Sequence, residues 1–142
     1  MQPESNSLPL LHKEHMMDDE LRRTGMAIRE RMWGVEAGEA RLARATEFQR
    51  DFEELVTTYC FGAVWGREGL SQAERSMLTI AMLVALGKPD QVAIHVEGAV
   101  ANGVSRDQIR EVLLHSAPYC GIPAALTAFR VAEPVLDRMG AA

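Results

Sequence analysis

The chain has 142 residues and a formal net charge of −5, with 47% hydrophobic and 25% charged residues. This length and composition fit a single domain with a core of ordinary size. The acidic balance argues against a nucleic-acid binder, which normally presents a basic face, and no Lys/Arg cluster suggests an anionic membrane surface. No apolar run reaches the roughly 18 residues that span a bilayer. We therefore expect neither a nucleic-acid nor a membrane partner.

Cysteine usage and the N-terminus bear on the compartment. The two cysteines, Cys60 and Cys120, lie far apart and form no CxxC motif. Small secreted domains usually carry more cysteines, and the polar, proline-bearing N-terminus lacks the apolar segment of a signal peptide. These features predict a cytoplasmic protein. Residues 1–16 are predicted to be a flexible leader, and residues 17–142 one folded domain.

The first half of that domain is predicted to be helical, with one ordered loop. An aspartate pair favours the first turn of a helix over residues 17–32. A short helix over residues 36–43 and a longer one over residues 46–60 follow. Gly62 and Gly66 bracket residues 63–65, and residues 61–70, FGAVWGREGL, are predicted to form the ordered loop. The longer helix carries an apolar stripe at helical spacing, formed by Phe48, Phe52, Leu55, Val56, Tyr59 and Cys60.

The second half opens on a capping box. Ser71 and Glu74 predict a helix start, and the helix over residues 71–86 is apolar nearly all round after Arg75. Such a helix belongs at the centre of the fold or at a subunit interface. Gly87 is predicted to end it.

Three more helices are predicted after Gly87. One runs from Pro89 to Gly103, which suit the first turn and the C-terminal cap. A second capping box, of Ser105 and Gln108, starts the next. The last covers residues 123–139, with a kink at Pro134. No stretch alternates with period two, so the chain is predicted to be all-α.

A histidine lies on an apolar helix face. Val92, His95, Val96 and Ala99 follow the spacing of one face, so the imidazole is predicted to point inward. A buried imidazole needs hydrogen-bond partners or a cavity. Two interpretations stay open: a satisfied core histidine, which is the commoner case, or a site residue whose pKa lies near working pH.

Four blocks of sequence carry a family resemblance. They are the loop VWGREGL, the helix RSMLTIAMLVALG, the helix IHVEGAVANGV and the segment YCGIPAALTAF. In this order they resemble the γ-carboxymuconolactone decarboxylase family across residues 20–135. The resemblance implies an AhpD-like all-α bundle of six or seven helices that assembles into a ring, commonly a hexamer built as a trimer of dimers. It also implies decarboxylation of 4-carboxymuconolactone to β-ketoadipate enol-lactone, in the protocatechuate branch of aromatic degradation, with no cofactor or metal.

That reaction needs a cation for the spectator carboxylate, donors for developing negative charge, and an acid that protonates carbon. His95 is expected to be the proton donor, with Arg75 as the second catalytic residue. For Arg67 and Arg75, the alternative to a site role is a surface ion pair. For Trp65, it is packing in the core. The predicted substrate-binding residues are Arg67, Trp65, Tyr119 and Gly121.

Two other classes of function stay open. One is an AhpD-like peroxidase, although the positions of its CxxC pair hold Lys88 and Gln91 here; Cys60 and Cys120 would have to meet across a subunit boundary. The other is a non-catalytic oligomeric relative, or a lyase or isomerase that acts on another small lactone or keto acid.

Overall fold

The computed structural model describes residues 8–142, with side chains from residue 14, and every regular element in that range is helical. This confirms the all-α prediction. No helix in the described range is long and apolar enough to cross a membrane. The α-helices are α1 (Leu8–Trp33), α2 (Glu39–Arg44), α3 (Glu47–Leu55), α4 (Gln72–Ala85), α5 (Pro89–Ala101), α6 (Arg106–Cys120) and α7 (Ile122–Arg138), with a 3₁₀ turn at Val35–Ala37 and a π-helix at Val56–Trp65.

The start of α1 differs from the predicted one. The helix begins at Leu8, so the second half of the predicted leader is helical. Residues 1–7 lie outside the described part of the chain. The described residues divide into two compact units, of which the first holds residues 8–30 and 34–67 and the second holds residues 31–33 and 68–142.

The second unit is built from α4 to α7 around one apolar core. Helix α5 packs against α4 and α7, and α6 packs against the same two helices. Apolar residues at helical spacing turn one stripe of each helix inward, which removes this surface from water. The most deeply buried of these residues include Ile80, Val84, Val92, Val96, Ala99, Ile109, Leu113, Ala128 and Ala132.

Both predicted capping boxes are present. The Glu74 amide donates to the Ser71 hydroxyl and the Ser71 amide donates to the Glu74 carboxylate, and Ser105 and Gln108 repeat the pattern. Each box satisfies two backbone N–H groups that a helix start leaves without partners. This explains why α4 and α6 begin where the sequence predicts.

Glycine ends both α4 and α5. Gly87 and Gly103 have φ angles of 64° and 84°, in the left-handed region that favours glycine. After α4, the Lys88 amide donates to the Leu83 carbonyl at 3.0 Å, and the Val104 amide donates to the Ala99 carbonyl at 2.9 Å after α5. These are the bonds of a Schellman cap.

The structure contradicts the first half of the predicted loop, residues 61–65, while residues 66–70 are non-helical as predicted. Helix α3 continues without a break into the π-helix, which ends at Trp65. Gly62 lies against the Leu21 backbone and Gly25 lies against the Thr57 carbonyl, too close for a β-carbon at either position. Gly62 therefore permits backbone contact with α1 and does not end a helix.

The apolar stripe that begins on α3 (the α3 stripe) is largely exposed. Phe48 is 96% exposed, and Phe52, Leu55 and Tyr59 are exposed as well. Glu53 is buried in their place.

Arg29 on α1 is the reason that a glutamate can be buried there. Its guanidinium donates to the Glu53 carboxylate at 3.0 Å and to the Thr57 hydroxyl at 2.7 Å. Arg41 donates to the second Glu53 oxygen at 2.9 Å. Burial raises the pKa of Glu53, but the bonds from Arg29 and Arg41 outweigh it and hold this pKa below its ordinary value. The paired charge supplies the hydrogen bonds that a buried carboxylate requires.

Candidate active site

His95 lies near the middle of α5, at the edge of the core of the second unit. Val92, Val96 and Ala99 on the same face are at most 1% exposed, while the imidazole itself is only partly buried. Burial lowers the pKa of His95 to about 4, because a low-dielectric surrounding disfavours the charged ring. At neutral pH the site therefore holds a neutral imidazole.

Trp33 contacts His95 and was missed by the sequence analysis. The indole Nε1 donates to the Ile94 carbonyl at 2.9 Å. The two rings meet edge to face, with centroids 5.3 Å apart and an interplanar angle of 88°. A signal for this contact exists in the sequence, since Gly98 follows His95 by three residues and leaves that face of α5 open. In the sequence, Trp33 is distinguished only by its position directly before Gly34, where the first helix is expected to end.

Arg75 lies in the first turn of α4 and is partly buried. The Asn102 amide donates to the Ser76 hydroxyl at 3.0 Å, which places the start of α4 beside the end of α5. His95 precedes Asn102 by seven residues, which is about 10 Å along a helix axis. Arg75 and His95 therefore lie on two neighbouring helices that pack against each other in the second unit.

Tyr119 and Gly121 lie where α6 meets α7. The Tyr119 ring is 79% exposed and contacts the His115 ring, with centroids 5.2 Å apart. Gly121 has a φ of 95°, and its N–H donates to the Ala117 carbonyl at 3.0 Å. This amide already closes α6, and the substrate-binding role of both residues stays a prediction.

Trp65 and Arg67 belong to the first unit. Trp65 ends the π-helix and is buried against Phe61, with ring centroids 5.4 Å apart. Arg67 follows it, with an exposed side chain and a backbone N–H that donates to the Val64 carbonyl at 3.2 Å. The contact with Phe61 fits the core alternative for Trp65. The pocket roles of both residues stay predictions.

The cysteines do not form a pair within either unit. Cys60 and Cys120 are both free thiols, and they lie in the first and second unit respectively. Lys88 and Gln91, the residues predicted to stand where an AhpD-like peroxidase has its CxxC pair, lie at the start of α5. Among the described residues, no three His, Cys, Asp or Glu side chains lie together as metal ligands.

The fold and the site define a class: a small all-α protein whose central helix carries a neutral, partly buried histidine. The chain belongs to the carboxymuconolactone decarboxylase family, which residues 50–134 match. This confirms the resemblance that the four sequence blocks carry.

Three relatives extend the comparison. The chain is 34% identical over 127 residues to the 4-carboxymuconolactone decarboxylase of Acinetobacter baylyi. The matched residues make up 89% of this chain and 95% of that protein. It is 36% identical over 126 residues to nitrosuccinic acid decarboxylase npaB of Metarhizium robertsii, spanning 86% of this chain and 88% of that one. An uncharacterized 15.0 kDa protein from the nqo9–nqo10 intergenic region of Paracoccus denitrificans is 33% identical over 96 residues, or 61% of this chain and 71% of its own length. Because both relatives that carry an activity name are decarboxylases, the comparisons support a carboxy-lyase and do not favour a peroxidase.

Proposed function

We propose that this protein decarboxylates 4-carboxymuconolactone to β-ketoadipate enol-lactone without a cofactor. The observation that carries the proposal is similarity along nearly the whole chain to a named 4-carboxymuconolactone decarboxylase. The geometry adds a neutral imidazole at the edge of an apolar core, next to a helix whose first turn holds an arginine.

The reaction breaks one carbon–carbon bond and forms one carbon–hydrogen bond. The electron pair of the broken bond flows through the ring double bond into the lactone carbonyl and gives a dienolate. A proton then adds at the carbon next to that carbonyl, and the double bond ends one position further along the ring. The site must therefore stabilise negative charge on the lactone oxygen and deliver one proton to carbon.

His95 suits the proton transfer because binding of the substrate can change the charge state of the imidazole. With a pKa lowered to about 4, the imidazole is neutral in the empty site and is not yet an acid. A bound dianion brings negative charge close to the ring, which favours the imidazolium form. The protonated ring then donates to the dienolate carbon as CO2 leaves. Proton uptake is thus coupled to substrate binding.

Arg75 is proposed to bind the carboxylate that remains on the substrate. A guanidinium forms two parallel hydrogen bonds with a carboxylate, which fixes the orientation of the ring as well as its position. Arg67 is proposed as a second anion-binding group, and Trp65, Tyr119 and Gly121 as further contacts with the substrate.

A second substrate has support from the relative in Metarhizium robertsii, whose name states that it decarboxylates nitrosuccinic acid. Nitrosuccinic acid is also a small dicarboxylate, and its nitro group can accept the electron pair that the lactone carbonyl accepts in the first reaction. The same residues would serve: a cation for the remaining carboxylate and an acid for the carbon.

A comparison of the two substrates, each assayed separately, tests the proposal. The purified protein is given 4-carboxymuconolactone or nitrosuccinic acid, and CO2 release and the organic product are measured. We expect the lactone to have the higher kcat/KM. Faster turnover of nitrosuccinic acid would assign the chain to the second reaction, and no CO2 from either compound would leave a non-catalytic relative or a lyase of other specificity.

We also propose that the chain works in the cytoplasm as a ring-shaped homo-oligomer, a trimer of dimers. Two exposed apolar stripes support assembly. One is the α3 stripe of the first unit, and the other lies on α4, where Leu78, Met82 and Leu86 are 46%, 60% and 68% exposed. Exposed patches of this kind mark protein interfaces. Light scattering should give a hexamer for the wild type and smaller species for Met82→Glu; a monomeric wild type would contradict the ring.

A further inference from the structure

Trp33, the last residue of α1, contacts α5 at two consecutive residues. Its indole N–H is hydrogen-bonded to the Ile94 carbonyl at 2.9 Å, and its ring lies edge-on against the imidazole of His95 with a centroid distance of 5.3 Å. The hydrogen bond fixes the indole relative to α5. The ring contact, in a geometry that aromatic rings favour, then restricts how the imidazole can turn.

Gly98 makes room for this arrangement. A β-carbon at residue 98 would lie 2.6 Å from Met32 Cε and 3.1 Å from two carbons of the Trp33 ring. The Met32 methyl group would have to move, and the indole would have to shift by a few tenths of an ångström. Gly98 lies on nearly the same helix face as His95, so the missing side chain and the imidazole border the same side of the indole.

We propose that Trp33 is a positioning residue for His95, which holds the imidazole in one orientation and keeps water from one side of it. The inference rests on the proposed role of His95 in proton transfer. Trp33 has no assigned contact with substrate and acts through the imidazole. Orientation matters because proton transfer to carbon requires a donor that is aligned with the acceptor.

The acid–base behaviour of His95 supports this role. Burial is the cause of its lowered pKa, and the indole ring supplies part of that burial. Nearby elements also carry charged groups, but Glu97 bonds with Arg138 at 3.5 Å and Glu74 is held in its capping box. The charged side chains on α5, on the residue before it, on α4 and α7 and within two residues of Trp33 in the second unit are Arg31, Glu74, Arg75, Lys88, Asp90, Glu97, Arg130, Glu133, Asp137 and Arg138. All of them remain when Trp33 is replaced, so the change in titration reports on the indole.

An NMR titration of the His95 ring tests the proposal without any substrate. Trp33→Leu removes the ring, and Trp33→Phe keeps a ring but removes the hydrogen bond to Ile94. We expect the pKa of His95 to rise by about 1 unit or more in Trp33→Leu and by less in Trp33→Phe, towards the value of an exposed imidazole. His95→Gln identifies the resonance. Phe48→Leu, at a 96% exposed position of the first unit, is the matched control and should leave the titration unchanged.

A purely structural role for Trp33 predicts a lower melting temperature with an unchanged His95 titration, and that result would overturn the proposal. If Trp33→Leu does not fold, Trp33→Phe and Gly98→Ala decide, since each disturbs one contact of the indole. An unchanged titration in both would overturn it equally.

Kinetics separate this proposal from the proposed function. In Trp33→Phe we expect kcat to fall about tenfold while KM changes less than about twofold, because orientation matters in the transition state more than in substrate binding. A fall in kcat/KM that comes from KM alone would contradict positioning. If the wild type releases no CO2 but the His95 pKa still rises in Trp33→Leu, the decarboxylase proposal fails and the control of His95 by Trp33 stands.

Discussion

Replacing His95 with glutamine should make the protein more resistant to mild acid. Burial lowers the pKa of His95 from 6.5 to about 4. Between these two values the unfolded chain binds a proton at this residue and the folded chain does not. Stability must therefore rise with pH across this window and be lost as the pH falls through it. Glutamine keeps a polar side chain of similar size and does not titrate.

The magnitude follows from the pKa difference of 6.5 minus 4, or 2.5 units. At about 1.4 kcal/mol per unit, the full effect below pH 4 is about 3 kcal/mol. Between pH 7 and pH 5, the same two pKa values give a loss of about 2 kcal/mol in the free energy of unfolding. Above pH 7 the contribution of His95 is nearly zero, because both states are neutral.

Urea unfolding at pH 7 and pH 5 measures this effect for the wild type and His95→Gln. Protein concentration is held constant, since assembly would make the apparent stability depend on it. All other titrating groups are common to both proteins, so only the difference between their pH dependences is used. The wild type should lose about 2 kcal/mol more than the variant. Equal losses would refute the neutral, buried imidazole.

Three further predictions concern packing and helix ends. Arg29→Met should lower the free energy of unfolding by about 3–5 kcal/mol, because it leaves the buried Glu53 carboxylate without its main partner, and adding Glu53→Leu should recover most of the loss; a double variant as unstable as the single one would contradict this account. In a Trp65→Phe background, which leaves Trp33 as the fluorophore of this kind, Gly98→Ala should cost about 1–3 kcal/mol and shift the emission to longer wavelength, because the new methyl group crowds Met32 and the indole; unchanged emission would contradict a shift of the indole. Ser71→Ala should lower thermal stability by about 1 kcal/mol through loss of the α4 cap, and Ser71→Gly by less; calorimetry that ranks them in the opposite order would contradict the cap.

Helix ends in the second unit were predictable from sequence because their signals are local. Ser71 and Ser105 cap their helices through residues three positions later, and Gly87 and Gly103 take left-handed backbone conformations that other residues avoid. None of these signals depends on a distant part of the chain. The inward face of α5 was predictable for the same reason, since its spacing repeats within one helix.

The first unit was harder to predict because distant residues decide its burial. The stripe that contains Phe48 and Tyr59 has ideal helical spacing, yet it faces outward while Glu53 is buried. The reason is Arg29, which lies 24 residues before Glu53 and supplies its charge partner. Apolar periodicity identifies one face of a helix, but not whether that face turns towards the core of its own chain.

The candidate site shows the same division between local and distant signals. His95 and Arg75 were predicted as site residues from helix position and family resemblance, and their roles stay predictions. Trp33 lies 61 residues before the carbonyl that it binds, so no local pattern connects the two. The charge state of His95 was also beyond sequence, because it depends on how deeply the ring is buried in the folded protein.

The rate of CO2 release from 4-carboxymuconolactone by the wild type, His95→Gln and His15→Gln tests the central claim most directly. His15 is an exposed histidine on α1 and serves as the matched control. General acid catalysis contributes about 100-fold or more, so we expect His95→Gln to lose at least that factor in kcat while His15→Gln stays within about twofold of the wild type. Wild-type rates in a folded His95→Gln variant would contradict the account.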